Sequence, residues 1–226
     1  MPPQRHVTDR ALPYRPGAMG FYRDRIYPLL VTRFGDPPPI RSLRHRLVSA
    51  ARGDVLEIGV GPGVNFGHYD PTRVTKLWAL EPNAGMVRLA QRRRRETGLD
   101  VEFISLPGER IPLDDACVDT VVSTFTLCTI PGIREAIRGI VRVLKPDGRL
   151  IFLEINRSPD ARVQRWQRWW EPFHRATFAG LHLTRDLPAL LEQGGFEVER
   201  VECGYVARFP KSWAHCCWGS ARRGST

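Results

Sequence analysis

Asp54–Asn65 reads D-V-L-E-I-G-V-G-P-G-V-N. Its apolar start, Val55 to Ile58, reads as a strand and runs straight into Gly59, Gly61 and Gly63. Glycines at that spacing let a backbone turn sharply and pass close to a ligand, because no Cβ intervenes. Working outward, L-W-A-L-E at Leu77 to Glu81 is a second apolar strand that ends in a carboxylate. A carboxylate placed there can accept hydrogen bonds from both hydroxyls of a ribose. The competing reading is a tight strand-to-helix turn beside a solvated glutamate.

The dinucleotide fingerprint G-x-G-x-x-G would put its third glycine at Val64, but the glycine comes one residue early, at Gly63. Pro62 also crowds the loop and offers no N–H to a phosphate. S-adenosylmethionine (SAM) carries ribose and adenine without a pyrophosphate. It needs a close-approach loop for its methionine portion and an acid for its ribose, and E-x-G-x-G-x-G followed by Glu81 suits it better.

The 226 residues suffice for one well-buried α/β domain with an accessory segment, and the apolar fraction of 42% is ordinary for a globular protein. The net charge of +10 comes almost wholly from arginine, scattered from Arg5 to Arg223. Such scatter reads as solvated surface, although a basic chain also attracts nucleic acid or acidic lipid. The cysteines Cys117, Cys128, Cys203, Cys216 and Cys217 form no C-x-x-C pair and are odd in number. They suit a reducing compartment, so a cytoplasmic protein without a metal is expected. No apolar run approaches the ~20 residues of a membrane span, and the first residues lack the apolar core of a signal peptide.

In chain order, residues 1–18 read as a loose tail rich in Pro and Arg, and 19–53 as a helical segment. Phe21, Tyr22, Ile26, Leu29 and Leu30 recur there at helical intervals, interrupted by Pro28. That segment is either a rim helix or an aromatic lid, with Tyr22 facing a cationic sulfonium. After Pro37-Pro38-Pro39, a helix from Ile40 to Arg52 is expected. Residues 54–226 then alternate: strands at 73–80, 101–104, 117–127 and 149–155, helices at 83–97 and 133–144. The four arginines Arg92 to Arg95 point around much of their helix and are mostly solvated. Thr184 looks like the N-cap of a helix that ends at Gly194-Gly195, and two closing strands, 196–206 and 214–221, join through a turn at Pro210. Gly59, Glu81, Pro107 to Glu109, Thr124 to Cys128 and Glu154 to Asn156 all fall at carboxyl ends of strands, where such sheets bind ligands.

Residues 157–186 form an insertion with Trp166, Trp170 and Phe173 at i, i+4 and i+7. It reads as a cap that gives a hydrophobic acceptor an apolar wall. Plain core, or an Arg/Trp face lying on a membrane, are the alternatives.

E-I-G-V-G-P-G, L-E-P-N, Gly108-Glu109 and L-K-P-D-G together resemble the class I SAM-dependent methyltransferases over roughly Val55 to Ala221. S-T-F-T-L-C-T-I, F-L-E, the Trp-rich segment and G-x-x-L-T-R-D narrow the likeness to the methyltransferase-like thiol methyltransferase group; it is also similar to bacterial quinone and phosphatidylethanolamine methyltransferases. The resemblance implies a Rossmann-like α/β fold whose seven-stranded, mostly parallel sheet ends in an antiparallel strand. It implies that Glu57, Gly59, Gly61, Gly63 and Asn65 line the methionine end of SAM. Glu81 would hold the ribose, with Pro82, Asn83 and Met86 beside the adenosine. Pro107, Gly108 and Glu109 would flank adenine, and Thr124 and Phe125 would floor the site. Pro107 stands where many relatives carry Asp, and Leu181 where the thiol group commonly has Cys.

Methyl transfer from a sulfonium is an in-line displacement on an activated carbon, so alignment and exclusion of water come first. A thiol near pKa 8.5 hardly needs a base, whereas an alcohol or phenol often does. Glu154, His174 and His182 are the candidate bases. The expected partner is a small acceptor bearing a thiol, hydroxyl or amine. An RNA or lipid methyltransferase, or a silent SAM-binding protein, are the other classes.

Overall fold

Val55 and Leu56 are both fully buried, although successive strand residues point to opposite faces. The sheet is therefore covered on both sides, as the near-continuous apolar strands require. The computed structural model describes residues 25–206 and 209–224. Its strands are β1 (Gly53–Ile58), β2 (Val74–Leu80), β3 (Val101–Ile104), β4 (Val118–Thr124), β5 (Leu144–Ile155), β6 (Phe196–Tyr205) and β7 (His215–Arg223). They form one seven-stranded sheet in the order β3-β2-β1-β4-β5-β7-β6. The pairs from β3 to β5 are parallel, and β7 runs antiparallel to both β5 and β6. This is the α/β Rossmann-like class I methyltransferase arrangement. The strand order reverses between β1 and β4, so a crevice opens at their carboxyl ends.

The helices are α1 (Tyr27–Phe34), α2 (Pro38–Val48), α3 (Ala84–Arg94), α4 (Ile133–Val143), α5 (Ala161–Thr177), α6 (Leu187–Gln193) and α7 (Lys211–Ala214). On one face Ile137 and Ile140 of α4 and Leu191 of α6 pack on Leu56, Ile58, Val121, Leu150 and Phe152. On the other, Val48 of α2, Phe66, Tyr69 and Ala90 of α3 cover Val55, Leu77, Ala79, Val122 and Ile151. Among the described residues no helix is long and apolar enough to cross a membrane.

Several local expectations change. Pro28 sits in the first turn of α1, where its missing N–H costs nothing, and does not interrupt the helix. Thr184 does not cap α6; Asp186 does, accepting from the Ala189 N–H, while the Thr184 hydroxyl is drawn to Glu171. α7 occupies the connection expected to be a bare turn. β5 begins at Leu144, which pairs with Val118 ahead of the Pro146–Gly148 irregularity. Cys203 and Cys217, expected in a reducing compartment, face each other across β6 and β7 and are joined as a disulfide. Tyr22 and Phe21 lie outside the described residues.

Candidate functional site

Gly59, Gly61 and Gly63 all have left-handed backbones, with φ of +66°, +54° and +77°. Side chains are strained there whatever the surrounding space. Two of the three are also sterically closed. A Cβ on Gly59 would lie 2.3 Å from the Thr126 side chain, and one on Gly63 3.0 Å from the Phe66 ring. Gly61 differs: its nearest atom would be 3.9 Å away, so the loop opens onto free space at that residue. Glu81 closes the loop from the neighbouring strand. Its Oε2 accepts from the Gly61 N–H at 3.0 Å and its Oε1 from the Asn83 N–H at 2.8 Å. Burial lifts this carboxyl to about 7 despite those two hydrogen bonds. Beyond Pro82, Asn83 caps α3 by accepting from the Met86 N–H, which places the buried Met86 beside the loop.

A second set of polar groups lies at the carboxyl ends of β1 and β4. Glu57, 1% exposed, accepts from Asn65 Nδ2 at 2.9 Å and from the Tyr69 hydroxyl at 2.8 Å. Desolvation raises Glu57 to about 7, and burial drives the Tyr69 hydroxyl well above its ordinary value. Asn65 Nδ2 also donates to Thr124 Oγ1 at 3.0 Å. Into this set reaches Arg44 of α2, 4% exposed. Its Nη1 donates to Asn65 Oδ1 at 2.8 Å and to Thr124 Oγ1 at 2.6 Å, and its Nε faces Asp36 Oδ1 at 3.3 Å. The Nη2 makes no hydrogen bond among the described residues. The guanidinium sits 5.2 Å from the centroid of the Phe125 ring. Phe125 itself has φ of +55°, a strained conformation of order 1–3 kcal/mol that collects at functional sites.

On the far side of β1, Gly108 packs against Ile130 and Ile58; a Cβ there would stand 2.4 Å from Ile130. Glu109 Oε1 accepts from the Gly132 N–H at 3.0 Å and so holds the start of α4. Pro107 accepts through its carbonyl from the Arg110 N–H, forming the turn that presents both residues.

The three candidate bases separate sharply. Glu154 is fully buried and accepts from the Ser123 hydroxyl (2.7 Å) and from the Thr126, Leu127 and Cys128 N–H groups (3.0–3.1 Å). Three of these bonds fall on Oε1 and one on Oε2, so Glu154 is tied to the loop after β4 and fixes it instead of standing free as a base. His174 is buried between Phe178 and Trp213, with Nδ1 2.9 Å from the Trp170 carbonyl, and serves packing. His182 is different. Its Nδ1 lies 3.2 Å from Glu171 Oε1, and it borders a cavity of about 490 Å³ shared with Pro131, Pro172, Arg175 and Gly180. Desolvation lowers its pKa, so the imidazole is neutral near pH 7. Glu171 also accepts from the Leu183 and Thr184 N–H groups and orients that corner.

Of the expected aromatic wall, Trp166 and Phe173 are more than half exposed and Trp170 is 37% exposed, so it does not close over the site. Phe178, Trp213, Leu181 and Leu183 instead form the apolar cluster that reaches Cys128 and Ile155. Arg44 is the main residue the sequence reading missed. A signal existed, since Ile40, Arg44 and Val48 fall at i, i+4 and i+8, placing one charge within the buried stripe of α2.

A family model described as a methyltransferase domain matches residues 56–152. Thiol S-methyltransferase TMT1B of Rattus norvegicus is 33% identical over 152 residues, 66% of this chain and 62% of the relative. The Homo sapiens TMT1B is 34% identical over 162 residues, 69% of this chain and 65% of the relative. The match thus spans somewhat less than two thirds of these relatives' length. Among solved structures, a putative methyltransferase in complex with the Haloferax volcanii Trm112 activator superposes with a TM-score of 0.68 at 15% identity, covering 93% of this chain and all of that one. Sheet order, glycine loop, strand-terminal acid and family match agree, and the chain belongs to the class I SAM-dependent methyltransferases. Within that class it is related to the thiol S-methyltransferases.

Proposed function

We propose that the chain transfers a methyl group from SAM to a small apolar acceptor, with a thiol as the first class to test. The observation that carries this reading is the pair of facing polar sets on one crevice: Glu81 with the Gly61 N–H, and Arg44 with Asn65 and Thr124. The open space at Gly61 fits a ligand that passes against bare backbone. When bound, SAM supplies a methyl group on a positively charged sulfur. Glu81 would receive the ribose hydroxyls, and the Nη2 of Arg44 would meet the methionine carboxylate. Glu57 keeps Asn65 and Tyr69 in place. Phe125, held in its strained turn beneath Arg44, would floor the site. The kinship with thiol S-methyltransferases supports a sulfur acceptor.

His182, neutral and oriented by Glu171, is the group proposed to take a proton from an acceptor that must lose one. The test is methyl transfer from labelled SAM to a panel of alkyl and aryl thiols, phenols and amines. Labelled thioether product is the expected result. Labelled phenol or amine products with no thioether would overturn the thiol assignment, and no product with any acceptor despite tight binding of S-adenosylhomocysteine would overturn the activity.

A further inference from the structure

Helix α5 carries Trp166, Trp169, Trp170 and Phe173, which are 57%, 65%, 37% and 52% exposed. They touch in series, ring centroid to ring centroid at 5.6, 4.7 and 5.7 Å, and make one continuous stripe. At about 200 Å² per large aromatic side chain, the stripe leaves roughly 400 Å² of apolar surface in water, within the range of the largest patches on ordinary monomers, which are often functional. The adjoining face of α5 is already satisfied: Val163, Gln167 and His174 are buried. Nothing about packing the domain requires four large aromatics to face outward.

The charges around the stripe have one sign. Arg162, Arg165, Arg168 and Arg175 are all exposed on α5. At 100° per residue, Arg162 falls on the stripe itself and Arg165 about 40° from Trp169. The one acid within the helix, Glu171, is turned inward onto His182, Leu183 and Thr184. Tryptophans flanked by arginines are what a surface lying in a phospholipid headgroup layer needs: the rings seat at the acyl boundary and the guanidinium groups meet phosphates. We infer that α5 docks the protein on an anionic phospholipid bilayer through Trp166, Trp169 and Phe173, with its arginines on the headgroups. From Trp170 the aromatic chain continues inward through His174 to Phe178 and Trp213, and on to Phe209. That cluster adjoins Ile155 and Phe125 at the carboxyl ends of β5 and β4. Packed aromatic side chains thus join the docking face to the crevice end of the sheet; delivery of an apolar acceptor from the bilayer rests on the methyltransferase reading, whereas docking itself does not.

The test is co-sedimentation of the full chain with phosphatidylcholine vesicles with and without phosphatidylglycerol. Binding is expected to the anionic vesicles only, with blue-shifted tryptophan emission and quenching by brominated acyl chains. Each Arg→Gln change at Arg162 or Arg165 weakens binding roughly fivefold, and raised salt does the same. Trp166→Ser with Trp169→Ser reduces binding roughly tenfold or more while the affinity for S-adenosylhomocysteine is unchanged, which shows the variant folded. Absence of binding to anionic vesicles, or binding that the tryptophan and arginine variants leave intact, overturns the inference. So does a wild-type dimer that the tryptophan variant converts to monomer, because the stripe would then be covered by a second copy of the chain. Loss of nucleoside binding in the wild type would instead strike the methyltransferase reading and leave the docking result standing.

Discussion

Replacing Arg44 by Gln separates a residue that binds cofactor from one that merely fills space. Arg44 spends Nη1 on Asn65 and Thr124, and its Nη2 makes no hydrogen bond among the described residues. If Nη2 meets the methionine carboxylate, its loss removes a charge-assisted hydrogen bond of about 1.5–3 kcal/mol, which is roughly 10- to 150-fold in Kd. The substitution also strips the cation from Asp36 and Glu57, so a stability cost of about 3 kcal/mol or more is expected, as for a broken buried pair. Stability and binding must therefore be read separately, the first by urea denaturation and the second by calorimetry. The decisive comparison uses two ligands. S-Adenosylhomocysteine has the amino-acid tail, and 5′-methylthioadenosine lacks it. Arg44→Gln should weaken the first by the stated factor and leave the second within about twofold, since that ligand forms no such bond. Equal losses for both would mean that Arg44 only props the loop, and no loss for either would refute its placement in the site.

Gly61→Val should abolish binding of both nucleosides while the fold survives: the side chain clashes with no protein atom, its left-handed backbone costs only local strain, and it fills the space the ligand would pass through. Calorimetry reads the first and circular dichroism the second. Glu81 is lifted from 4.5 to about 7, so the folded chain holds its proton more tightly than the unfolded chain and stability from this group falls as pH rises between those values. Glu81→Gln should therefore gain stability relative to wild type by roughly 2–3 kcal/mol between pH 4.5 and 8, measured as the pH dependence of the difference in unfolding free energy; a flat difference would contradict the buried carboxyl. Glu154→Gln should cost about 3 kcal/mol of stability by turning an amide toward N–H donors, yet keep any acidic limb of the pH–rate profile with a phenol acceptor, where rate falls as the base is protonated. His182→Gln should remove that limb. The reverse pattern would return the base role to Glu154.

The parallel core was legible because its signals are local. Strands buried on both faces carry adjacent apolar residues, Val55-Leu56 in β1 and Val121-Val122 in β4, and the arrangement of Gly59, Gly61, Gly63 and Glu81 follows from their places at strand ends. What misled was any feature whose partner lies far along the chain. Thr184 has the residue type of an N-cap, but Glu171 competes for its hydroxyl and Asp186 takes the role. Glu154 has the position of a base, but three backbone N–H groups converge on it only once the loop after β4 folds back over β5.

Sequence alone determined the order of the strands and long helices, the sheet class and the nucleoside-type crevice, because periodicity and turn chemistry act within a few residues. Tertiary structure decided which charges face that crevice. Arg44 arrives across 80 residues to bond Thr124, and its value there depends on burial, which no local pattern encodes. It also decided the fate of the tryptophans on α5. Their helical spacing defines one face, but only the packing of Val163, Gln167 and His174 against the domain turns that face outward to solvent.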